Sequence, residues 1–147
     1  MTSNNTYQSV FEYLFDSVTL KQESESIFFK TFLGHFPQLS KEQQELKKSS
    51  RGESNGKVFT IMRFKDFSIR FDFNSHSLIE AQMKMPKENF FALKEYAKNK
   101  YYGQPQLRWE NEMFGMMETL KALHLGFEAS FTKVFGFGCE VTIKRSE

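Results

Sequence analysis

Tyr7, Val10, Phe11, Leu14, Phe15 and Val18 recur at i, i+3, i+4, i+7, i+8 and i+11, the stripe of a helix that buries one side; Asn4, Asn5 or Thr6 supplies its cap. Thr19 and Gln22 stand in capping-box spacing ahead of Phe28, Phe29, Phe32 and Leu33, with Gly34 as a stop. That predicts a second helix, or one bent helix running through both stripes. Leu39 to Lys48 is polar, with Ser40 and Gln43 in the same spacing, and reads as a short surface helix. SSRGESNG, residues 49–56, reads as a flexible loop.

From Lys57 the period changes to two. VFTIMRF (58–64) is apolar on both parities, as for a strand covered on two sides. FSIRFDF (67–73) places Phe67, Ile69, Phe71 and Phe73 on one face and Ser68, Arg70 and Asp72 on the other. LIEAQMKM (78–85) does the same with Ile79, Ala81, Met83 and Met85 against Glu80, Gln82 and Lys84. Tight turns join these three into an antiparallel meander. Pro86 then opens a helix with Phe90, Leu93, Ala97 and Tyr101 on one side, ending at Gly103. Trp109, Met113, Met116, Leu120 and Leu123 predict a further helix stopped by Gly126. The tail keeps apolar residues on odd positions from Phe127 to Ile143, broken at Lys133, and forms one long strand or a hairpin with an odd-numbered loop.

The expected fold is a single α+β domain over 1–147, with an antiparallel sheet of four to five strands covered by N-terminal and central helices. Residues 1–48 are its helical layer, 49–56 a flexible loop and 57–147 the sheet with two helices.

Composition narrows the function. Lys and Arg number 20 against 18 Asp and Glu, a formal net charge of +2, which does not mark a nucleic-acid binder. Eighteen Phe and one Trp favour a packed interior over a wet surface. One cysteine, Cys139, cannot form an internal disulfide, and Met1 to Val10 lacks the pattern of a secretory signal, so a cytoplasmic setting is expected. No apolar run reaches membrane-spanning length, and no membrane partner is expected.

Candidate chemistry is sparse. KVFGFGCEV (133–141) resembles the aromatic strand of RNA-recognition motifs at Lys133, Phe135, Gly136 and Phe137 but departs at Val134, Gly138 and Glu140, and reads as a buried terminal strand. His35, His76 and His124 lie far apart without zinc spacing. Lys87, Lys94 and Lys98 share a helix face that can follow a phosphate backbone, though Glu88 and Glu95 dilute it.

Asp72, then Glu80-Ala81-Gln82, resembles the metal-binding signature of the PD-(D/E)xK nucleases, whose core is a helix, three strands, a helix and a returning strand. The resemblance implies that Asp72 and Glu80 ligate Mg²⁺, with a third acid such as Glu12 or Glu25 supplied by a helix. Gln82 replaces the expected lysine and Phe71 the expected proline; Lys84 shares a face with Gln82 and supplies a positive charge.

Strand register separates the structural reading from the metal reading. A three-residue loop, Asn74 to His76, sets Arg70 opposite Glu80 and Asp66 opposite Lys84, pairing opposite charges. A five-residue loop, Asn74 to Leu78, sets Asp72 opposite Glu80, where two carboxylates repel unless a cation or proton intervenes. The salt-paired register is the expected one. The expected function is therefore a non-enzymatic interaction module with a protein partner or self-association through Phe- and Met-rich apolar surface, and no cofactor. A Mg²⁺-dependent nuclease using Asp72, Glu80, Gln82 and Lys84 is the alternative, and a small apolar-ligand domain the third reading.

Overall fold

In the computed structural model, residues 2–16, 24–46, 49–74, 77–101, 108–114, 117–124, 127–134 and 138–145 are described. Helix α1 (Asn4–Asp16) begins where Ser3 accepts the Thr6 N–H on its Oγ at 3.2 Å, so Ser3, one position before the expected caps, closes the first turn. Tyr7, Val10, Phe11, Leu14 and Phe15 are all buried, as their spacing requires. Helix α2 (Glu25–His35) buries Phe28 and Phe32; Thr19 and Gln22 lie outside the described residues. Helix α3 (Pro37–Leu46) follows, its Pro37 at the first helical position and its Leu39 buried.

Four strands then form a meander: β1 (Ser49–Ser54), β2 (Lys57–Arg63), β3 (Ser68–Phe73) and β4 (Leu78–Met85). Helix α4 (Lys87–Tyr101) leads to a second meander: β5 (Arg108–Phe114), β6 (Met117–His124), β7 (Phe127–Val134) and β8 (Gly138–Arg145). All pairings are antiparallel, and the eight strands lie in the order β1-β2-β3-β4-β8-β7-β6-β5. The α+β class holds, with more strands than the four or five expected.

Three expectations are corrected. Residues 49–54 are an edge strand rather than a flexible loop, because Asn55 (φ 52°) and Gly56 (φ 75°) both take the left-handed backbone of a two-residue hairpin turn. The helix expected from Trp109 to Leu123 is replaced by the hairpin β5–β6, with Trp109 opposite Ala122 and Asn111 opposite Leu120. Trp109 and Met113 stand four apart, a spacing that fits a helical turn and a strand face equally well. Ile79, expected to be buried with Ala81, is displaced by Leu78, for reasons that lie in the β3–β4 turn.

The tail resolves as a hairpin. Val134 lies opposite Gly138 across the odd-numbered connection 135–137, so odd residues of both strands share one face. Phe127, Ala129, Phe131, Cys139, Val141 and Ile143 are accordingly buried together.

Helices α1, α2 and α4 cover one face of the sheet. Phe28 and Phe32 of α2 set their rings 5.4 Å from Phe71, and Phe28 lies 5.6 Å from Phe73. Phe11 of α1 and Phe90 of α4 meet Phe131 at 5.4 and 6.2 Å. Alpha-1 is fastened to α4 by polar contacts along the rim: Tyr96 and Tyr101 donate their hydroxyls to Glu12 and Asp16, and Lys100 reaches both acids at 3.1 and 3.6 Å. Truncating Phe71, which is fully buried against Phe28, Phe29 and Phe32, leaves a cavity that three rings cannot fill. Phe71→Ala is expected to lower stability by about 3–5 kcal/mol, measured by urea denaturation.

Candidate functional site: the open face of the sheet

The side chains pointing away from the helices form a second surface. Along one cross-strand row stand Gly52, Phe59, Asp72, Glu80, Lys144 and Glu128; along the next stand Ser50, Ile61, Arg70, Gln82, Thr142 and Ser130; a third holds Arg63, Ser68, Lys84, Glu140 and Thr132. The four residues of the alternative nuclease reading, Asp72, Glu80, Gln82 and Lys84, therefore lie together on this face.

The register is the one not expected. The turn closes with the Asn74 N–H donated to the Ser77 carbonyl at 3.0 Å, while Asn74 Oδ1 accepts the Ser77 N–H at 2.9 Å. This sets Phe73 opposite Leu78 and brings Leu78 into the core. A one-residue shift follows, with Ile79 unmatched in the ladder, and Asp72 comes to face Glu80 while Arg70 faces Gln82. The bulge reconciles a short turn with the same buried face. Neither loop length read from the sequence contained it.

Two carboxylates thus meet across β3 and β4, and the surroundings show how they are tolerated. Arg70 Nε bonds Asp72 Oδ1 at 3.1 Å. Its guanidinium also lies 4.4 Å from the Phe59 ring centroid, a cation–π contact. On the other side β8 places Lys144 opposite Glu80. Burial, followed by the charge of Asp72, raises the Glu80 pKa, and Lys144 and Arg70 draw it back only in part. Phe59 in turn fills the space above Gly52, where a Cβ would come within 2.5 Å of the ring. The edge-strand glycine, the aromatic ring, the guanidinium and the acid pair form one continuous stack.

Arg70 separates two shallow clefts. One, of about 350 Å³, is bounded by Lys57, Phe59, Arg70, Asp72, Ile79 and Glu80, so its two carboxylates share it with two cations. The other, of about 320 Å³, is bounded by Ile61, Arg63, Ser68, Gln82 and Lys84 and is basic. Both carboxylates thus line the first cleft and cations line both, with Arg70 shared between them.

The third acid suggested for a metal lies elsewhere. Glu12 is engaged by Tyr96 and Lys100, and Glu25 by Arg51 at 2.9 Å and Thr60 at 3.3 Å, both on the helix side of the sheet. Among the described residues no group of three or more His, Cys, Asp and Glu is close enough to hold a metal ion. His76 lies outside the described residues, and His35 stacks on Tyr13 at 5.0 Å. KVFGFGCEV does not form a single strand, because β7 ends at Val134 and β8 begins at Gly138. No apolar Phe and Met patch marks the described surface; Ile27 is the exposed large apolar side chain there. The role of Phe59 and Arg70 was missed in the sequence, although the Asn55-Gly56 turn that brings Gly52 beneath Phe59 is a hairpin signal.

Because Glu80 has a raised pKa in the fold, protonating it stabilises the protein; that contribution is present below about pH 4.5 and is lost as pH rises through the raised value. Glu80→Gln removes the repulsion. It is expected to raise stability at pH 7 by about 0.2–1 kcal/mol, a gain that disappears near pH 4, as read from urea melts of both proteins at the two pH values.

No family model, curated protein or solved structure matches this chain.

Proposed function

We propose that this chain is a non-catalytic binding module whose contact surface is the open face of the sheet and whose partner is a protein surface, a second copy of the chain included. The observation that carries this reading is the charge pattern about Arg70: a cleft that holds the Asp72–Glu80 pair with Lys57, next to one that holds Arg63 and Lys84 with no acid, both on the open face. A two-fold axis in the plane of this face lays the Asp72–Glu80 pair of one copy against Arg63 and Lys84 of the other, which makes a second copy a fitting partner. Phe59 and Ile61, half-buried between these charges, supply apolar contact area at the centre. Among the described residues no helix is long and apolar enough to cross a membrane, and the sole cysteine is buried, which goes with a reducing, cytoplasmic setting.

The face carries Lys57, Lys84 and Lys144, whereas Lys94, Lys98 and Lys100 belong to α4 on the other side. Amine-reactive cross-linking of the natively purified protein, read by mass spectrometry, is expected to join Lys57, Lys84 or Lys144 to a partner or second copy. Arg70→Glu should weaken that association at least about tenfold, as one lost buried charge contact does. A monomer at tens of micromolar that cross-links to nothing, or only through α4, overturns the proposal.

The Asp72–Glu80 register supports a second reading, Mg²⁺ held by these two acids as the resemblance to PD-(D/E)xK nucleases implies, since one or two carboxylates with substrate phosphates suffice for that ion. Melting temperature in millimolar Mg²⁺ and Mn²⁺ tests it: a rise abolished by Glu80→Gln, with cleavage of nucleic acid, is its signature, and an unchanged melting temperature removes it.

A further inference from the structure

The register that sets Asp72 against Glu80 also composes the cleft beside it. Arg63 lies opposite Ser68 and Ser68 opposite Lys84, while Ile61, Arg70 and Gln82 face one another in the adjoining row. Side chains opposite one another in antiparallel strands stand about 4.5–5.5 Å apart at Cβ. Two neighbouring rows of three therefore bound a single space, of about 320 Å³. Cations enter it from three strands: Arg63 from β2, Arg70 from β3 and Lys84 from β4. The Ser68 hydroxyl and the Gln82 amide are its other polar groups, and among the described residues no carboxylate lines it.

The neighbours of these cations hold them in place without filling the cleft. Arg63 donates from Nη1 to Ser50 Oγ at 3.1 Å, a neutral acceptor that positions the guanidinium without balancing its charge. Arg70 donates Nε to Asp72 at 3.1 Å and lies over the Phe59 ring at 4.4 Å, contacts that fix it at the boundary of the two clefts. Lys84 faces Glu140 of β8 on its far side. Asp72 and Glu140 thus flank the cleft and do not line it. Charged donors already held in position lose less freedom when a ligand arrives. Two guanidinium groups and an ammonium drawn from three strands suit a ligand with oxygens on more than two sides and more than one negative charge, which a planar carboxylate lacks.

We propose that the cleft formed by Arg63, Ser68, Arg70, Gln82 and Lys84 binds an oxyanion of the phosphate class, with the three cations on its oxygens and Ser68 and Gln82 completing the hydrogen bonds. A cleft of this volume admits a diphosphate. The site shares the open face with the association proposed above but does not rest on it, since a small free anion reaches these groups with no second copy present. Nor does it need a metal, because the donors themselves carry the positive charge.

Inorganic pyrophosphate tests the site, titrated in metal-free buffer at constant ionic strength with sodium chloride as reference and followed by NMR of the arginine Nε–H and lysine ammonium groups. Saturable shifts are expected at Arg63, Arg70 and Lys84. Arg63→Gln and Lys84→Gln should each weaken binding about tenfold, the usual consequence of losing one charge-assisted hydrogen bond, while Lys98→Gln, on α4, leaves it within about twofold. Glu140→Gln removes the carboxylate opposite Lys84 and is expected to tighten binding about threefold, a gain that a merely structural role for the row would not produce. Melting of each variant in chloride separates loss of binding from loss of fold. Sedimentation of the same samples reports association independently, and binding by a monomer upholds the site even where no second copy docks. Shifts that track chloride equally, or pyrophosphate binding unchanged in Lys84→Gln, overturn it. Binding that appears only with Mg²⁺ and is lost in Glu80→Gln also overturns it, in favour of a metal held by the acid pair.

Discussion

The pairing of β4 with β8 is the contact on which the remaining architecture depends. It joins residues separated by α4 and three strands, Glu80 to Lys144 at one end and Met85 to Cys139 at the other. Without it the chain is two separate meanders, each too small to bury the aromatic stripes of α1, α2 and α4. With it, Ala81, Met83, Val141 and Ile143 become the middle of one continuous buried surface, and Phe71 and Phe131 sit on either side of that seam beneath different helices. The seam also delivers Lys144 to Glu80. The partial compensation of the acid pair is thus a product of long-range topology rather than of the β3–β4 hairpin alone.

Helix α4 carries three kinds of contact along its length. Its buried residues, Phe90, Leu93, Ala97 and Tyr101, cover the sheet near the seam. Its C-terminal half is fastened to α1 through Tyr96, Lys100 and Tyr101, an arrangement that uses Glu12 and Asp16 for structure. Its N-terminal half carries Phe91 with its surrounding lysines. Packing, fastening and charge are segregated along a single 15-residue element.

The inner face was readable from sequence because its period is unambiguous. Alternation from Phe67 to Phe73 and the recurrence at three and four residues in α1 and α4 each fit one structure only, and the odd positions of the tail share a face whether it is one strand or a hairpin. What escaped reading were features decided by one or two residues. Asn55-Gly56 converts a polar stretch into an edge strand; the unmatched Ile79 slides Asp72 against Glu80; and a spacing of four at Trp109 and Met113 does not distinguish helix from strand. The four candidate residues were rightly assigned to one face, since parity survives a shift of two. Their partners were not, because hydrophobic burial is the same in both registers and only the turn chooses between them.

The stack over Gly52 lies at the border of the sheet. Beta-1 is an outermost strand, and a bare polar edge of this kind invites another chain to add a strand to it. Here the edge is short, and Arg51 and Glu53 stand out from it, joined to each other at 2.9 Å. Between them Gly52 is roofed by the Phe59 ring, so a strand added alongside would lie next to a tethered aromatic and a row of bound charges. The smallest residue in the strand, which by itself weakens it, is the one that leaves room for the Phe59 ring at the border of the sheet.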